Sequence, residues 1–290
     1  MKIAIIGSNG QIGSEVVRAA KAVELDVIEL RHNECDVTDG SSVARALARL
    51  RTGDVVVNTA AFHKTEECEV AGDRALSVNA LGAYRVAAEA RKRGATVVYL
   101  STDFVFDGAK RTPYVESDKP NPLNLYGVSK TAGETLLRTA NPNHYLIRVS
   151  SVFGPAGSSG KGGNFVESMV AKARRDETPD VVDDIVMAPT SAADASSLFV
   201  QLLQRKAPFG TYHLANAGAC SWLEFTDGIF ELMGAKIRAR PIKAASLNGK
   251  ARRPLYSVLA SERLSPLGLE TREWREALRD YLQVKGYLKS

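Results

Sequence analysis

Gly7-Ser8-Asn9-Gly10-Gln11-Ile12-Gly13 follows the apolar run Lys2-Ile3-Ala4-Ile5-Ile6 and opens an amphipathic stretch over residues 12–23. A strand, a glycine-spaced loop and a helix, in that order, are what binding a dinucleotide requires. One glycine lets the chain turn sharply, one lets the backbone approach the pyrophosphate with no Cβ in the way, and one lets the helix start pack on the strand. The pyrophosphate then sits on free N–H groups at the helix N-terminus, where the dipole also favours negative charge. Gly7, Asn9, Gly10, Gln11, Ile12 and Gly13 are therefore expected at a cofactor.

Outward from the loop, short apolar runs alternate with amphipathic stretches. Strands are expected over 2–6, 26–30, 55–58, 96–101 and 145–149, and helices over 12–23, 41–50, 73–93 and 129–139. The strands read as continuous apolar runs, so helices should cover both faces. The alternation predicts parallel strands joined by right-handed crossovers. The fold class is α/β: a Rossmann-type doubly wound parallel sheet with a smaller α/β substrate-binding domain. After Phe153 the texture changes, with Gly154, Pro155, Ala156, Gly157, Ser158, Ser159, Gly160, Gly162 and Gly163 crowded before a helix-like stretch over 164–175. A boundary is placed there. Residues 1–154 form the dinucleotide-binding domain, with 188–206 packing back onto it, and residues 155–187 with 207–290 form the substrate-binding domain. The later part is expected to carry strands over 181–184 and 210–214 and helices over 192–203, 222–233 and 274–281.

Composition excludes several classes. Hydrophobic residues at 44% and charged residues at 24% of 290 positions describe an ordinary globular chain with a full core. The net charge of +5 comes from 38 basic and 33 acidic residues that are interspersed. The basic clusters Arg91-Lys92-Arg93, Arg174-Arg175 and Arg252-Arg253 lack interleaved aromatics, so no nucleic-acid partner is expected. Cys35, Cys68 and Cys220 are too few and too scattered for a disulfide framework or a zinc site, so no metal is expected and a reducing compartment fits. The first apolar run is too short for a signal peptide, and no stretch is long enough to span a bilayer. The expectation is a cytoplasmic protein with no membrane partner.

The second expected strand normally ends in an acid that binds the ribose 2′-hydroxyl of NAD. Here the tip reads Leu30-Arg31-His32-Asn33. A guanidinium at Arg31 suits a 2′-phosphate, which favours NADPH while leaving NADH open. An exposed loop cation is the other reading of Arg31. Asp36-Val37 follows, and a carboxylate there can reach the adenine amino group.

The strand over 96–101 delivers Ser101-Thr102-Asp103 at its carboxyl end, where ligands of open α/β sheets bind. Further on, Tyr126-Gly127-Val128-Ser129-Lys130 places a phenol and an ammonium four residues apart, on one face of a helix. A lysine near a tyrosine stabilises the phenolate and lets it exchange a proton near neutral pH. Thr102 can hydrogen-bond the same substrate oxygen. Tyr-x-x-x-Lys alone is explained about as well by any amphipathic helix. Combined with the N-terminal glycine loop and Ser-Thr-Asp at a strand end, it resembles the extended short-chain dehydrogenase/reductases.

Within that superfamily, Ser101-Thr102-Asp103-Phe104-Val105-Phe106-Asp107-Gly108, then Pro113-Tyr114, Glu116, Pro120, Pro122, Tyr126-Gly127, Lys130 and Gly133-Glu134, is similar to the dTDP-4-dehydrorhamnose reductases. Asn164-Phe165-Val166, Ala188-Pro189-Thr190, Ser221-Trp222 and Arg253-Pro254-Leu255-Tyr256-Ser257-Val258-Leu259 fall in that family's order, so the resemblance covers nearly the whole chain. It implies a reductase that moves hydride from the nicotinamide to C4 of a 4-keto-6-deoxy sugar nucleotide. By the same resemblance Tyr126 protonates the new alkoxide, Lys130 tunes Tyr126 and holds the nicotinamide ribose, and Thr102 assists at the carbonyl oxygen. Ser101, Asn58, Ala60 and Ala61 would line the cofactor, and Asn79 would support it from a neighbouring helix. Asp103, Val105, Asn164 and Trp222 would lie on the substrate side. Arg253 is a candidate contact for a nucleotide diphosphate, because its planar donor fork suits phosphate and Pro254 stiffens its loop. A surface charge is its bland alternative, and a homodimer is allowed.

The chain departs from the family pattern around the sugar. Arg148-Val149-Ser150-Ser151-Val152-Phe153-Gly154 lacks the usual tryptophan and tyrosine, and Ile185-Val186-Met187-Ala188 is apolar where Gln-x-Gly is usual. Glu66 replaces the usual aspartate, and Phe62 and His63 lie either beside the nicotinamide or in ordinary loop packing. These changes point to an altered substrate. A nucleotide-sugar epimerase or dehydratase, with Asp103 as acid, is the nearer rival. A non-catalytic NADP-binding regulatory subunit is the other, and the intact Thr102, Tyr126 and Lys130 argue against it.

Overall fold

A computed structural model describes residues 1–157 and 163–288. The first half runs β1 (Lys2–Ile6), α1 (Gln11–Ala22), β2 (Asp26–Leu30), α2 (Gly40–Ala46), β3 (Val55–Asn58), α3 (Thr65–Val70), α4 (Gly72–Leu76), α5 (Gly82–Lys92), β4 (Thr96–Thr102), α6 (Leu125–Ala140) and β5 (His144–Val149). The second half runs β6 (Val152–Phe153), α7 (Phe165–Arg174), β7 (Asp180–Val182), β8 (Val186–Met187), β9 (Thr190–Ser191), α8 (Ala192–Gln204), β10 (Gly210–His213), β11 (Cys220–Ser221), α9 (Trp222–Met233), β12 (Arg240–Ile242) and α10 (Trp274–Val284). Ser158, Ser159, Gly160 and Gly162 of the expected glycine-rich loop lie outside the described residues.

Among the described residues the central sheet has six strands in the order β2-β1-β3-β4-β5-β10, all paired in parallel. The order reverses between β1 and β3, and the crevice beyond the carboxyl ends at such a reversal is where open α/β sheets bind ligands. Ile3, Ile5, Val57 and Ile147 meet Val16 and Ala20 of α1 and Leu198 and Val200 of α8 on one face. Ala4, Ile6, Val56 and Leu146 meet Val43 of α2, Val86 and Ala87 of α5 and Leu137 of α6 on the other. Two covered faces explain the continuous apolar runs of the strands.

The expected boundary needs one correction. Residues 210–213, assigned above to the second unit, are the sixth strand of the main sheet, with Gly210 opposite Tyr145 and His213 opposite Arg148. β10 covers what would otherwise be an open edge of β5. Leu264 and Leu269 also pack in the core that contains Tyr212 and Ile147. The smaller unit is built on α7, α9 and α10, whose Val166, Met169, Phe225, Ile229, Trp274 and Leu278 share a separate core. The short pairs β7–β12 and β8–β11 flank it.

The single helix expected over 73–93 is three pieces. Between α4 and α5, Ser77–Leu81 form a π-helical turn. That turn carries Asn79, whose buried side chain donates to Phe62 O and Ser129 Oγ, both at 2.9 Å. A π-turn in an α-helix is an uncommon, frequently site-linked feature, and here it lies directly behind the loop over 59–64.

Candidate active site

The glycine loop takes its shape from two close approaches. Gly7 has φ +79°, and its N–H donates to Leu30 O at 2.8 Å, so β1 ends in a turn that a side chain would strain. A Cβ at Gly13 would stand 2.1 Å from Gly7 O, so only glycine lets α1 pack this tightly on the strand end. At Gly10 a Cβ would meet just Gly7 O, at 3.2 Å. No side chain caps the start of α1, which leaves its first N–H groups available to an anion. The loop opens on a cavity of about 1600 Å³ at the β1/β3 reversal. An uncapped helix start, a glycine cradle and this volume fit a dinucleotide.

Gly7, Asn9, Gly10, Gln11, Ile12 and Gly13 all line that cavity, as do Asp36, Val37, Ala60 and Ala61. Gln11 Nε2 donates to Val152 O at 2.7 Å, which ties the loop to β6. At the cofactor end one expectation needs correction, that of Asn58, and two further residues lie away from the lining. Arg31 is exposed and outside the lining, with its N–H donating to Glu34 at 2.8 Å, and His32 beside it lines the edge. Asn58 is buried beneath the wall, where its Oδ1 accepts from Ala60 N at 3.1 Å and shapes the turn. Asn79, expected to give support from a neighbouring helix, is behind the wall as well. It grips the backbone of Phe62, whose N–H donates to Asn79 Oδ1 at 2.9 Å and whose carbonyl accepts from Nδ2. Both asparagines support lining residues rather than line the cavity.

Thr102, Tyr126 and Lys130 converge on the same cavity, with Ser101, Asp103 and Phe104 beside them. Tyr126 sits in the first turn of α6, which Asn124 caps by accepting from Gly127 N at 2.8 Å, while Glu69 Oε1 accepts from Leu125 N at 2.7 Å. The Phe104 ring meets the Tyr126 ring edge to face, 5.8 Å between centroids. Burial pushes the Tyr126 phenol well above its usual range, the Thr102 hydroxyl pulls it down, and the Asp103 carboxylate pushes it up. Lys130 is buried, donates from Nζ to Leu100 O, and lies 4.0 Å from the centroid of the Tyr99 ring. Burial pushes its ammonium down to about 7, with Glu134 pulling the other way.

Beneath these residues runs a buried polar chain. Ser101 Oγ donates to Glu134 Oε1 at 2.7 Å, and Arg148 donates to both Glu134 oxygens at 2.9 and 2.7 Å. Arg148 NH1 lies 3.3 Å from His213 Nε2. This chain joins β4, α6, β5 and β10, and it fixes the strand ends that present Ser101 and Thr102.

At the far end the cavity is walled by Ser151, Phe153, Phe165, Trp222, Phe225 and Arg253. The Phe165 and Trp222 rings lie 4.5 Å apart between centroids. Ser151 has φ +44°, a backbone conformation uncommon for a side-chain-bearing residue, in a stretch that was expected to be altered. Asn164 lines the cavity, yet its Oδ1 caps α7 by accepting from Glu167 N at 3.0 Å and its Nδ2 donates to Gly154 O at 3.0 Å. Arg253 faces Glu66 at 3.2 Å. Val105 is a further correction. The 3₁₀ turn after Thr102 sends its side chain into a core with Phe106, Tyr114 and Leu259, away from the cavity. Ile185 and Met187 are also buried outside the lining. Arg74, which lies 5.0 Å above the Phe62 ring, is a lining residue that carried no motif signal, and Phe165 lines the cavity from within the Asn164-Phe165-Val166 stretch.

No helix among the described residues is long and apolar enough to cross a membrane, and no group of three or more His, Cys, Asp or Glu among them is placed to hold a metal.

The family model of the RmlD substrate binding domain matches residues 1–286. The spore coat polysaccharide biosynthesis protein SpsK of Bacillus subtilis strain 168 is 37% identical, over 98% of this chain and 98% of its own length. The dTDP-4-dehydrorhamnose reductase of Mycolicibacterium smegmatis is 36% identical, over 96% of this chain and 84% of its own. The structure of dTDP-4-dehydrorhamnose reductase from Bacillus anthracis strain Ames, in complex with NADP, superposes with a TM-score of 0.91 at 31% identity, covering 98% of this chain and 99% of the other.

Proposed function

This chain belongs to the RmlD substrate binding domain family, that of the dTDP-4-dehydrorhamnose reductases, and on that premise we propose that it reduces the 4-keto group of a nucleotide-linked 6-deoxy sugar with NADPH. It is an NAD(P)-dependent oxidoreductase. The observation that carries the reading is that Thr102, Tyr126 and Lys130 open onto one cavity with the uncapped start of α1.

The nicotinamide, when bound, supplies the hydride. The chain's own residues do the rest. The uncapped amides after Gly10 would hold the pyrophosphate, and His32 and Asp36, which line the same cavity, would face the adenosine. Tyr126 donates its proton to the oxygen formed from the keto group. Lys130, one turn further on the same face of α6, favours the phenolate that remains. Arg253, which lines the cavity and pairs with Glu66, would suit a diphosphate by its planar donor fork. Ser151, where the family carries a larger side chain, leaves room at the sugar, so the sugar or nucleotide need not be that of the relatives. A dehydratase would need a free acid beside the threonine, whereas the Asp103 oxygens are already occupied by hydroxyl donors.

The test is NADPH and NADH absorbance with dTDP-, UDP- and GDP-linked 4-keto-6-deoxy sugars. Wild type should oxidise NADPH with one of them, and Tyr126→Phe should turn over about 10²–10⁴-fold more slowly. Oxidation of neither cofactor with any of the sugars would contradict the reading.

A further inference from the structure

Between β12 and Leu255 the chain runs toward the cavity through residues 247–254, which form no helix or strand. Glu66, in the first turn of α3, holds that segment. Its Oε2 accepts from Lys250 N at 2.7 Å and from Ala251 N at 3.2 Å, and its Oε1 accepts from Arg253 Nη2 at 3.2 Å. Gly249 packs so closely on the same carboxylate that a Cβ there would stand 2.6 Å from Oε1. The Ala251 amide, with the Lys250 amide and Arg253, keeps the carboxyl below its usual range. A half-exposed ion pair contributes little by itself. Two backbone amides on the same carboxylate add charge-assisted bonds that fix the segment.

The same helix grips the reaction end. Three residues after Glu66, Glu69 Oε1 accepts from Leu125 N at 2.7 Å, next to Tyr126. Tyr126 and Arg253 both line the cavity, so α3 ties the residue suited to a diphosphate to the residue that donates the proton. In a nucleotide sugar the diphosphate and the keto carbon belong to one covalent molecule, and their spacing is bounded. The groups that receive them must be held at a matching spacing.

We propose that Glu66 is a positioning residue for the substrate diphosphate: it fastens residues 249–253 to α3 and so fixes Arg253 relative to Tyr126. The inference rests on the reductase reading, in which Arg253 takes the diphosphate. Among the described residues Arg253 makes no hydrogen bond besides the one to Glu66, so the other N–H groups of its fork are left for a ligand. A carboxylate near a bound phosphate also repels it. The hold on the segment outweighs that repulsion, because two of the three hydrogen bonds go to backbone amides of the segment itself.

The experiment is titration calorimetry with dTDP, UDP and GDP on wild type, Glu66→Gln, Glu66→Ala, Arg253→Met and the Glu66→Gln/Arg253→Met double variant. It needs no turnover. Wild type should bind at least one of the three, and both Glu66 variants should bind it roughly tenfold more weakly. NADPH affinity should stay within about twofold. Once residue 253 is Met, Glu66→Gln should have no further effect on the diphosphate, because Glu66 acts through Arg253. Trypsin reads the segment directly: cleavage after Lys250 and Arg252 should run roughly tenfold faster in Glu66→Ala than in wild type. Diphosphate binding that is unchanged or tighter in both Glu66 variants would overturn the proposal and leave Glu66 a repelling neighbour of the phosphate. An equal loss of NADPH and diphosphate would overturn it as well, as a general loosening of the fold. If wild type binds none of the three, the diphosphate reading of Arg253 fails, and the cleavage rates still decide whether Glu66 holds the segment.

Discussion

Arg148 grips Glu134 through two contacts of 2.9 and 2.7 Å, with both side chains at or below 1% exposure. The pair lies directly under the catalytic strand end, since Ser101 donates to the same carboxylate. Arg148 and the other donors hold that carboxylate below its usual range despite burial. Removing one partner leaves the other buried and uncompensated. Arg148→Met should therefore destabilise the fold by about 3–5 kcal/mol, read as a fall in the urea midpoint at unchanged slope. A loss within about 0.5 kcal/mol would show that the pair is dispensable.

His213 extends the same network toward the acid side of pH. Its Nδ1 faces the carbonyls of Tyr114 and Ala260 at 3.0 and 2.9 Å, and its Nε2 faces Arg148. A neutral ring satisfies all three, with Nδ1 donating and Nε2 accepting. Burial, opposed by Glu116 and assisted by Arg148, pushes His213 from 6.5 down to about 4. Between those values the unfolded chain carries a proton that the folded chain refuses. Stability is thus full above pH 6.5 and falls as pH drops toward 4, with a slope contribution of up to about 1.4 kcal/mol per pH unit. Urea unfolding of His213→Asn across this range should show a flatter dependence.

The Gly7 carbonyl lies too close to residue 13 for any Cβ. Gly13→Ala should weaken NADPH binding roughly tenfold or more by pushing α1 off the strand end. Gly10→Ala has more room, and its effect should come from contact with the pyrophosphate alone, so its thermal midpoint should exceed that of Gly13→Ala. Nicotinamide fluorescence and thermal unfolding measure the two effects separately.

Lys130 separates stability from activity. Its folded-state ammonium is depressed to about 7, so burying it becomes more unfavourable as pH falls from the lysine range near 10.5. At neutral pH, Lys130→Met should raise the thermal midpoint by a few degrees while lowering kcat about 10²–10⁴-fold. A midpoint that falls instead would mean that the Leu100 and Tyr99 contacts outweigh the burial penalty.

Much of the site could be read from the chain because its chemistry is local. The spacing of Gly7, Gly10 and Gly13 encodes backbone approach, and Tyr126 with Lys130 encodes one helix face. What escaped depends on contacts between distant segments. Strand alternation does not say which residue after β2 lines the cavity edge, a place that His32 takes. The 3₁₀ turn that buries Val105 and the π-turn that sets Asn79 behind Phe62 both break the regular periods on which such readings depend. β10 completes the sheet through a pairing with β5 across about 65 residues of sequence, which no local pattern reports.

Passage of hydride from the cofactor to C4 of a keto sugar can be followed by isotope transfer. NADPH deuterated at the transferable nicotinamide position is incubated with the enzyme and a nucleotide-linked 4-keto-6-deoxy sugar, and the product is examined by proton and deuterium NMR. Deuterium should appear at the sugar C4, with one oxidised cofactor formed per product. A changed sugar without deuterium and with the cofactor pool unaltered would contradict it and point to epimerase or dehydratase chemistry.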